Sequence, residues 1–184
     1  MIIIGITGTL GAGKGTVVEY LEKEKGFDHY SVRAFLLKDI RRRGMAENRD
    51  SMVVVANELR RINGPSYVTD QLYNEAVAIG KNCIIESIRT PGEIDSLRKK
   101  GQFYLFAVDA DPGVRYKRIT ARSSETDNIS FETFTENETR EMSATDPNKQ
   151  NLKGCIQQAD FVFNNDGSKE DLFREVEKIL TQII

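Results

Sequence analysis

Near the start of the chain, Gly8-Thr9-Leu10-Gly11-Ala12-Gly13-Lys14-Gly15-Thr16 combines the residue types that a chain of phosphates requires. Such a chain concentrates negative charge and needs several donors aimed at one place. Glycines let the backbone fold tightly and bring bare N–H groups to an anion. A helix starting near Gly13 adds the positive end of its dipole. Lys14 has the reach to follow the β- and γ-phosphates as charge moves between them. Gly8, Leu10, Gly11, Ala12, Gly13, Lys14, Gly15 and Thr16 are therefore the expected ATP contacts. The usual pattern puts Ser or Thr directly after the lysine. Here Gly15 intervenes and the hydroxyl is on Thr16.

Phosphoryl transfer is catalysed mostly by positioning and by neutralising spread negative charge. The expected catalytic set is Lys14, Arg89, Arg118 and Arg122. Glu86 closes an apolar run and is the acid best placed to orient water on Mg²⁺, an ion that keeps several waters. Asp109 is a second candidate, although Asp109-Ala-Asp-Pro112 also reads as an ordinary helix start. Thr16 is expected to contact phosphate or the metal, directly or through water. Arg115, Arg118 and Arg122 fall within about 60° on one helix face. That face is expected to close over phosphates, with Arg118 on ATP, with Arg140 as a further member and with polar Ser123–Ser130 as the tip of a lid. Arg89, Arg33 and Arg60 are the expected grips on the acceptor. Arg41-Arg42-Arg43 reads as a solvated helix end, and His29, the only histidine, as structural or surface.

These groups need a frame. Short apolar runs at Met1–Thr7, Asp28–Ser31 (the weakest), Asn82–Ser87, Phe103–Asp109 and Phe161–Asn164 predict strands. Three are continuous rather than alternating, as in strands covered on both faces. Helical patterns lie between them. The clearest is the last, with Leu172, Phe173, Val176, Ile179, Leu180 and Ile183 on one face behind a capping box at Ser168–Asp171. Strands separated by helices imply right-handed crossovers: an α/β fold with a five-stranded parallel sheet and helices on both faces. Ligands bind beyond the carboxyl ends of such strands. One domain spanning 1–184 is expected, with acceptor-binding helices over about 32–80 and a short helical lid over about 115–142.

The net charge of −2 excludes a broad basic surface for nucleic acid. Cys83 and Cys155 form no CxxC pair and read as buried apolar residues in a reducing compartment. No apolar run approaches the roughly 20 residues of a membrane helix, and Met1–Thr7 lacks the features of a signal peptide. A cytoplasmic protein with no membrane and no nucleic-acid partner is expected. Its oligomeric state stays open.

The spacing Gly13-Lys14-Gly15-Thr16 resembles that of the nucleoside monophosphate kinases, adenylate kinase above all. Glu86-Ser-Ile-Arg89-Thr90 resembles their acid followed by Arg-Thr, and Arg115, Arg118 and Arg122 their lid arginines. Ala159–Ser168 is similar to the last strand and loop of dephospho-CoA kinase. Arg43-Gly44, Asn57–Arg60, Asn63–Pro65, Ile88–Glu93 and Phe131–Phe134 look like a little-characterised branch of P-loop kinases related to both. The resemblance covers essentially the whole chain. It implies a P-loop NTPase fold of the nucleotide kinase type, ATP and Mg²⁺ as cofactors, and a small nucleotide as the acceptor.

A phosphate monoester is already a dianion near neutral pH and needs no general base, whereas a sugar hydroxyl does. Dephospho-CoA kinases carry an Asp-Ala-Asp stretch after the second strand, where this chain has Asp28-His-Tyr-Ser-Val-Arg33. A nucleoside or deoxynucleoside monophosphate is therefore the expected acceptor. Transfer to a hydroxyl, with Asp28 or Asp39 as base, is one alternative. A regulatory ATPase without a small acceptor is the other. Leu36-Leu37 stands where adenylate kinases carry an arginine, which leaves the base and sugar open.

Overall fold

A computed structural model describes residues 1–122 and 129–184. The chain runs β1 (Ile2–Gly8), α1 (Lys14–Lys25), β2 (Asp28–Ser31), α2 (Val32–Arg42), α3 (Arg49–Asn63), α4 (Tyr67–Ile79) and β3 (Cys83–Glu86). It continues through α5 (Pro91–Arg98), β4 (Gln102–Asp109), α6 (Pro112–Arg122), α7 (Phe131–Met142), α8 (Leu152–Gln157), β5 (Phe161–Asn164) and α9 (Lys169–Ile183). The strands form one parallel sheet in the order β2-β3-β1-β4-β5. All five expected strands are present, within about two residues of their expected ends.

Period-two alternation sends successive strand residues to opposite faces. Ile3, Cys83, Ile85, Phe103 and Leu105 pack under the α2–α5 helices and α8, whereas Ile4, Ile6, Ile84, Phe106 and Val108 pack against α1 and α9. Both faces are covered, which is why these runs are apolar at every position. The capping box ahead of α9 forms as expected, with Ser168 and Asp171 satisfying each other's backbone N–H. α5 has a second one, between Thr90 and Glu93.

The strand order reverses between β1 and its neighbours, so a cleft opens at their carboxyl ends. The expected lid spans α6 and α7. Its tip, Ser123–Ser130, lies outside the described residues except for Ile129 and Ser130, and Ser130 caps α7.

Candidate active site

The cleft has a volume of about 790 Å³ and is lined by the loop after β1, the start of α2, the end of β3, α3, and α6 and α7. The loop is tightly built. Gly8 has φ 137, and a Cβ there would come within 2.0 Å of the Val108 carbonyl oxygen. Gly13 has φ 103, and its Cβ would meet Asn165 Nδ2 at 2.2 Å. Only glycine fits either place. Gly13 is also the N-cap of α1, and no side chain caps that terminus; the Thr16 amide donates to the Gly13 carbonyl at 2.9 Å, and those of Lys14 and Gly15 are left for a ligand.

Lys14 Nζ folds back and donates to the carbonyls of Gly8 (2.9 Å) and Thr9 (2.7 Å). These dipoles do not replace lost hydration. Burial, reinforced by nearby Arg89, lowers the ammonium to a pKa of about 7 against the pull of Glu86 and Glu141. A polyphosphate would supply the negative charge this lysine lacks.

Two residues beyond the loop prop it. Thr9 Oγ1 donates to Asp109 Oδ1 at 2.5 Å, and Asn165 Nδ2 donates to the Ala12 carbonyl at 2.8 Å. Asp109 Oδ1 also accepts from the Ala110 amide. Asp109 thus supports the loop from outside the cleft lining, and Asp111 is the residue that caps the start of α6.

Glu86 faces Ser31 across the β2–β3 register and accepts its hydroxyl at 2.8 Å. His29 Nε2 lies 3.6 Å away, and His29 Nδ1 lies 3.7 Å from Glu22. Burial works against the Glu86 charge, but the His29 and Ser31 contacts outweigh it and hold the carboxyl below its ordinary range. The same partner raises the His29 imidazole against its own burial. His29 is therefore a second support of the site rather than a bystander. The turn after Glu86 bends through Ser87, which has φ 67, the one positive φ at a non-glycine among the described residues.

The arginines separate into distinct roles. Arg89 lines the cleft. Burial disfavours its charge, and its Nη1 reaches Glu141 Oε2 at 3.3 Å. Arg33 lines the cleft from the exposed start of α2. Arg118 and Arg122 line it from α6, and Arg118 Nη1 donates to the Asn165 carbonyl at 2.7 Å. Arg115, expected on the same face, is instead buried beneath the loop. It donates to the Ala110 carbonyl, pairs with Glu138 at 2.7 Å and stacks over Phe134. The apolar side of α6 turns inward there and takes Arg115 with it. Arg140 pairs with Asp50 on the surface.

Arg60, one of the expected acceptor grips, lines the deep end of the cleft and is held from behind by an acid, with Nη1 left without a partner among the described residues. Its side chain is 1% exposed and pairs with Glu93, 0% exposed, at 3.0 Å. Nε and Nη2 are both spent on Glu93 Oε1. Glu93 Oε2 accepts the amides of Arg89 and Thr90. Arg60 thereby braces the turn carrying Arg89, because a buried charge must be paired.

The residue pattern did not single out Arg49 and Glu141. Arg49 opens α3 and lines the cleft, holding Glu141 through Nε at 2.8 Å and Nη2 at 2.5 Å. Each stands at the wrong end of its helix for the dipole, a cation at a start and a carboxylate in a last turn. That mismatch was the available signal, and it is visible only once the helix limits are known.

Thr16 lines the cleft beside the loop. Among the described residues no group of three or more His, Cys, Asp or Glu could hold a metal. A Mg²⁺ ion here would take its ligands from phosphate and water, with Thr16 and Glu86 as the adjoining oxygens; Mg²⁺ is commonly bound in this way. No helix among the described residues is long and apolar enough to cross a membrane.

The sequence pattern of the AAA domain family matches residues 4–144, from β1 through α7. A UPF0200 protein of Methanococcus maripaludis is 28% identical over 188 residues, covering 100% of this chain and 98% of that one. The crystal structure of TT1252 from Thermus thermophilus superposes with a TM-score of 0.65 at 22% identity, covering 100% and 98% of the two chains. Shikimate kinase from Bacteroides thetaiotaomicron superposes with a TM-score of 0.58 at 14% identity over 98% of each chain. The fold is that of the P-loop kinases.

Proposed function

The chain belongs to the AAA domain family, and we propose that it is an ATP-dependent phosphotransferase whose acceptor is a nucleoside or deoxynucleoside monophosphate. One observation carries the choice of acceptor. Arg33, Arg49 and Arg89 line the cleft, its carboxylates Glu86 and Glu141 are held by His29 and Ser31 and by Arg49 and Arg89, and the two aspartates expected as bases for a hydroxyl acceptor lie outside it. Asp28 is near Lys81, and Asp39 is paired with Arg42 and Arg43, all outside the cleft lining. An acceptor that is already a phosphate dianion needs that positive wall and no base.

Bound ATP with Mg²⁺ supplies the γ-phosphoryl group and part of its counter-charge. The loop amides and Lys14 hold the phosphates, and the loop keeps its shape through Thr9–Asp109 and Ala12–Asn165. Glu86 and Thr16 are the residues that adjoin the metal and its waters. Arg89 and Arg49 hold the acceptor phosphate. Arg118 and Arg122 bring positive charge from α6 to the phosphates. Helices α6 and α7 supply the lid that excludes water.

An assay of ADP release over a panel of nucleoside and deoxynucleoside monophosphates with Mg²⁺-ATP tests this reading. Acceptor-dependent turnover, abolished in Lys14→Ala, is expected. Slow hydrolysis that no monophosphate accelerates would overturn it. Turnover with dephospho-CoA alone would replace it with transfer to a hydroxyl.

A further inference from the structure

Glu141 is 5% exposed, and both its carboxylate oxygens are engaged by arginines of the acceptor wall. Oε1 accepts from Arg49 Nε and Nη2, and Oε2 from Arg89 Nη1 at 3.3 Å. This is how a phosphate would be held: two guanidinium groups on separate elements converge on one anion. Nothing local favours the carboxylate there, since it opposes the dipole in the last turn of α7. It stays because it is the carboxylate in contact with both part-buried guanidinium groups, Arg49 at 24% and Arg89 at 17% side-chain exposure.

The rest of α7 is anchored independently. Phe134 is 1% exposed and packs on Tyr116, and Glu138 pairs with Arg115. The last turn of the helix, which carries Glu141, lies beyond these anchors.

We infer that Glu141 is an internal stand-in for the acceptor's phosphate, occupying the Arg49–Arg89 site until a phosphomonoester dianion displaces it. This rests on the acceptor reading given above. It makes Glu141 a specificity residue. A dianion brings more charge to the two arginines than the carboxylate it replaces, whereas an acceptor that offers only a hydroxyl leaves Glu141 in place. It also ties occupation of the acceptor site to release of the last turn of α7 alone, so the lid helix senses the acceptor at that end.

The test uses inorganic phosphate, which needs no turnover. In Glu141→Gln the competing charge is gone, and phosphate binds more tightly, by about tenfold if the stand-in vacates the site a tenth of the time. The gain disappears in Glu141→Gln combined with Arg89→Ala, which separates this site from the phosphate loop. In the unaltered protein, phosphate speeds amide hydrogen exchange over residues 138–142. Glu141→Asp, which keeps the charge on a shorter arm, gives an intermediate affinity and guards against a destabilised glutamine variant. Unchanged or weaker phosphate binding in Glu141→Gln would make Glu141 a mere positioning partner of Arg89 and overturn the inference, as would slowed or unchanged exchange over 138–142. A protein that passes both measurements yet phosphorylates no monophosphate would refute the kinase reading alone.

Discussion

The cleft holds two cationic centres that solve the same electrostatic problem in opposite ways. At the loop, Lys14 has only carbonyl dipoles in hydrogen-bond contact, and its ammonium titrates near pH 7. At the arginine wall, Arg49 and Arg89 share one carboxylate from the chain itself, Glu141, which offsets half of their charge. An amine can shed its proton when buried, whereas a guanidinium cannot, so the part-buried arginines keep their charge and hold a carboxylate. On the function and the inference proposed above, the loop would await its ligand as a latent charge and the wall with a substitute in place.

The largest effect separates the two centres most directly. Lys14→Ala is expected to cut kcat/KM for ATP by roughly 10³-fold, since it removes a charge aimed at the transferring group. Steady-state kinetics with both substrates varied will show whether the loss stays on the ATP side. Glu93→Gln attacks the wall from behind. It leaves Arg60 buried without its counter-charge, and a loss of about 3 kcal/mol is expected in urea unfolding. Equal stability of this variant would mean that the Arg60–Glu93 pair does not brace the wall.

The pH dependence discriminates next. Between pH 7 and the ordinary lysine value of 10.5, folded ligand-free protein binds fewer protons at Lys14 than the unfolded chain does. The Lys14 contribution to stability therefore rises with pH across that window and is lost as pH falls toward 7. Polyphosphate affinity runs the other way: level below pH 7 and falling by up to about tenfold per unit above it, because the bound anion favours the ammonium. Calorimetry in buffers of different ionisation enthalpy should record proton uptake on ATP binding above pH 7. The arginine wall should show no such uptake with inorganic phosphate in Lys14→Ala. The smallest effect is that of Thr9→Val, which removes one loop support and should cost about 1 kcal/mol with a modest rise in the KM for ATP.

The loop was legible because its requirements are local. Bare amides, positive φ and a lysine at fixed spacing all lie within nine consecutive residues, Gly8–Thr16. The strands and α9 were legible for a similar reason, since burial on both faces or on one writes itself as a period in the sequence. Arg115 was misread because helical spacing places it with Arg118 and Arg122, whereas its depth depends on Phe134 and Glu138 from a different helix. The pairing of Arg60 with Glu93 was not legible because that partner is 33 residues away.

By itself, then, the sequence determined a parallel α/β frame and an anion-binding turn at the end of its first strand, through hydrophobic period and backbone sterics that act over a few residues. Tertiary structure decided which charges face the cleft. Glu141 meets Arg49 across 92 residues and Arg89 across 52, and Asp109 meets Thr9 across 100. A charge's role depends on its depth and on the sign of its neighbours, and both arise only when distant segments pack together.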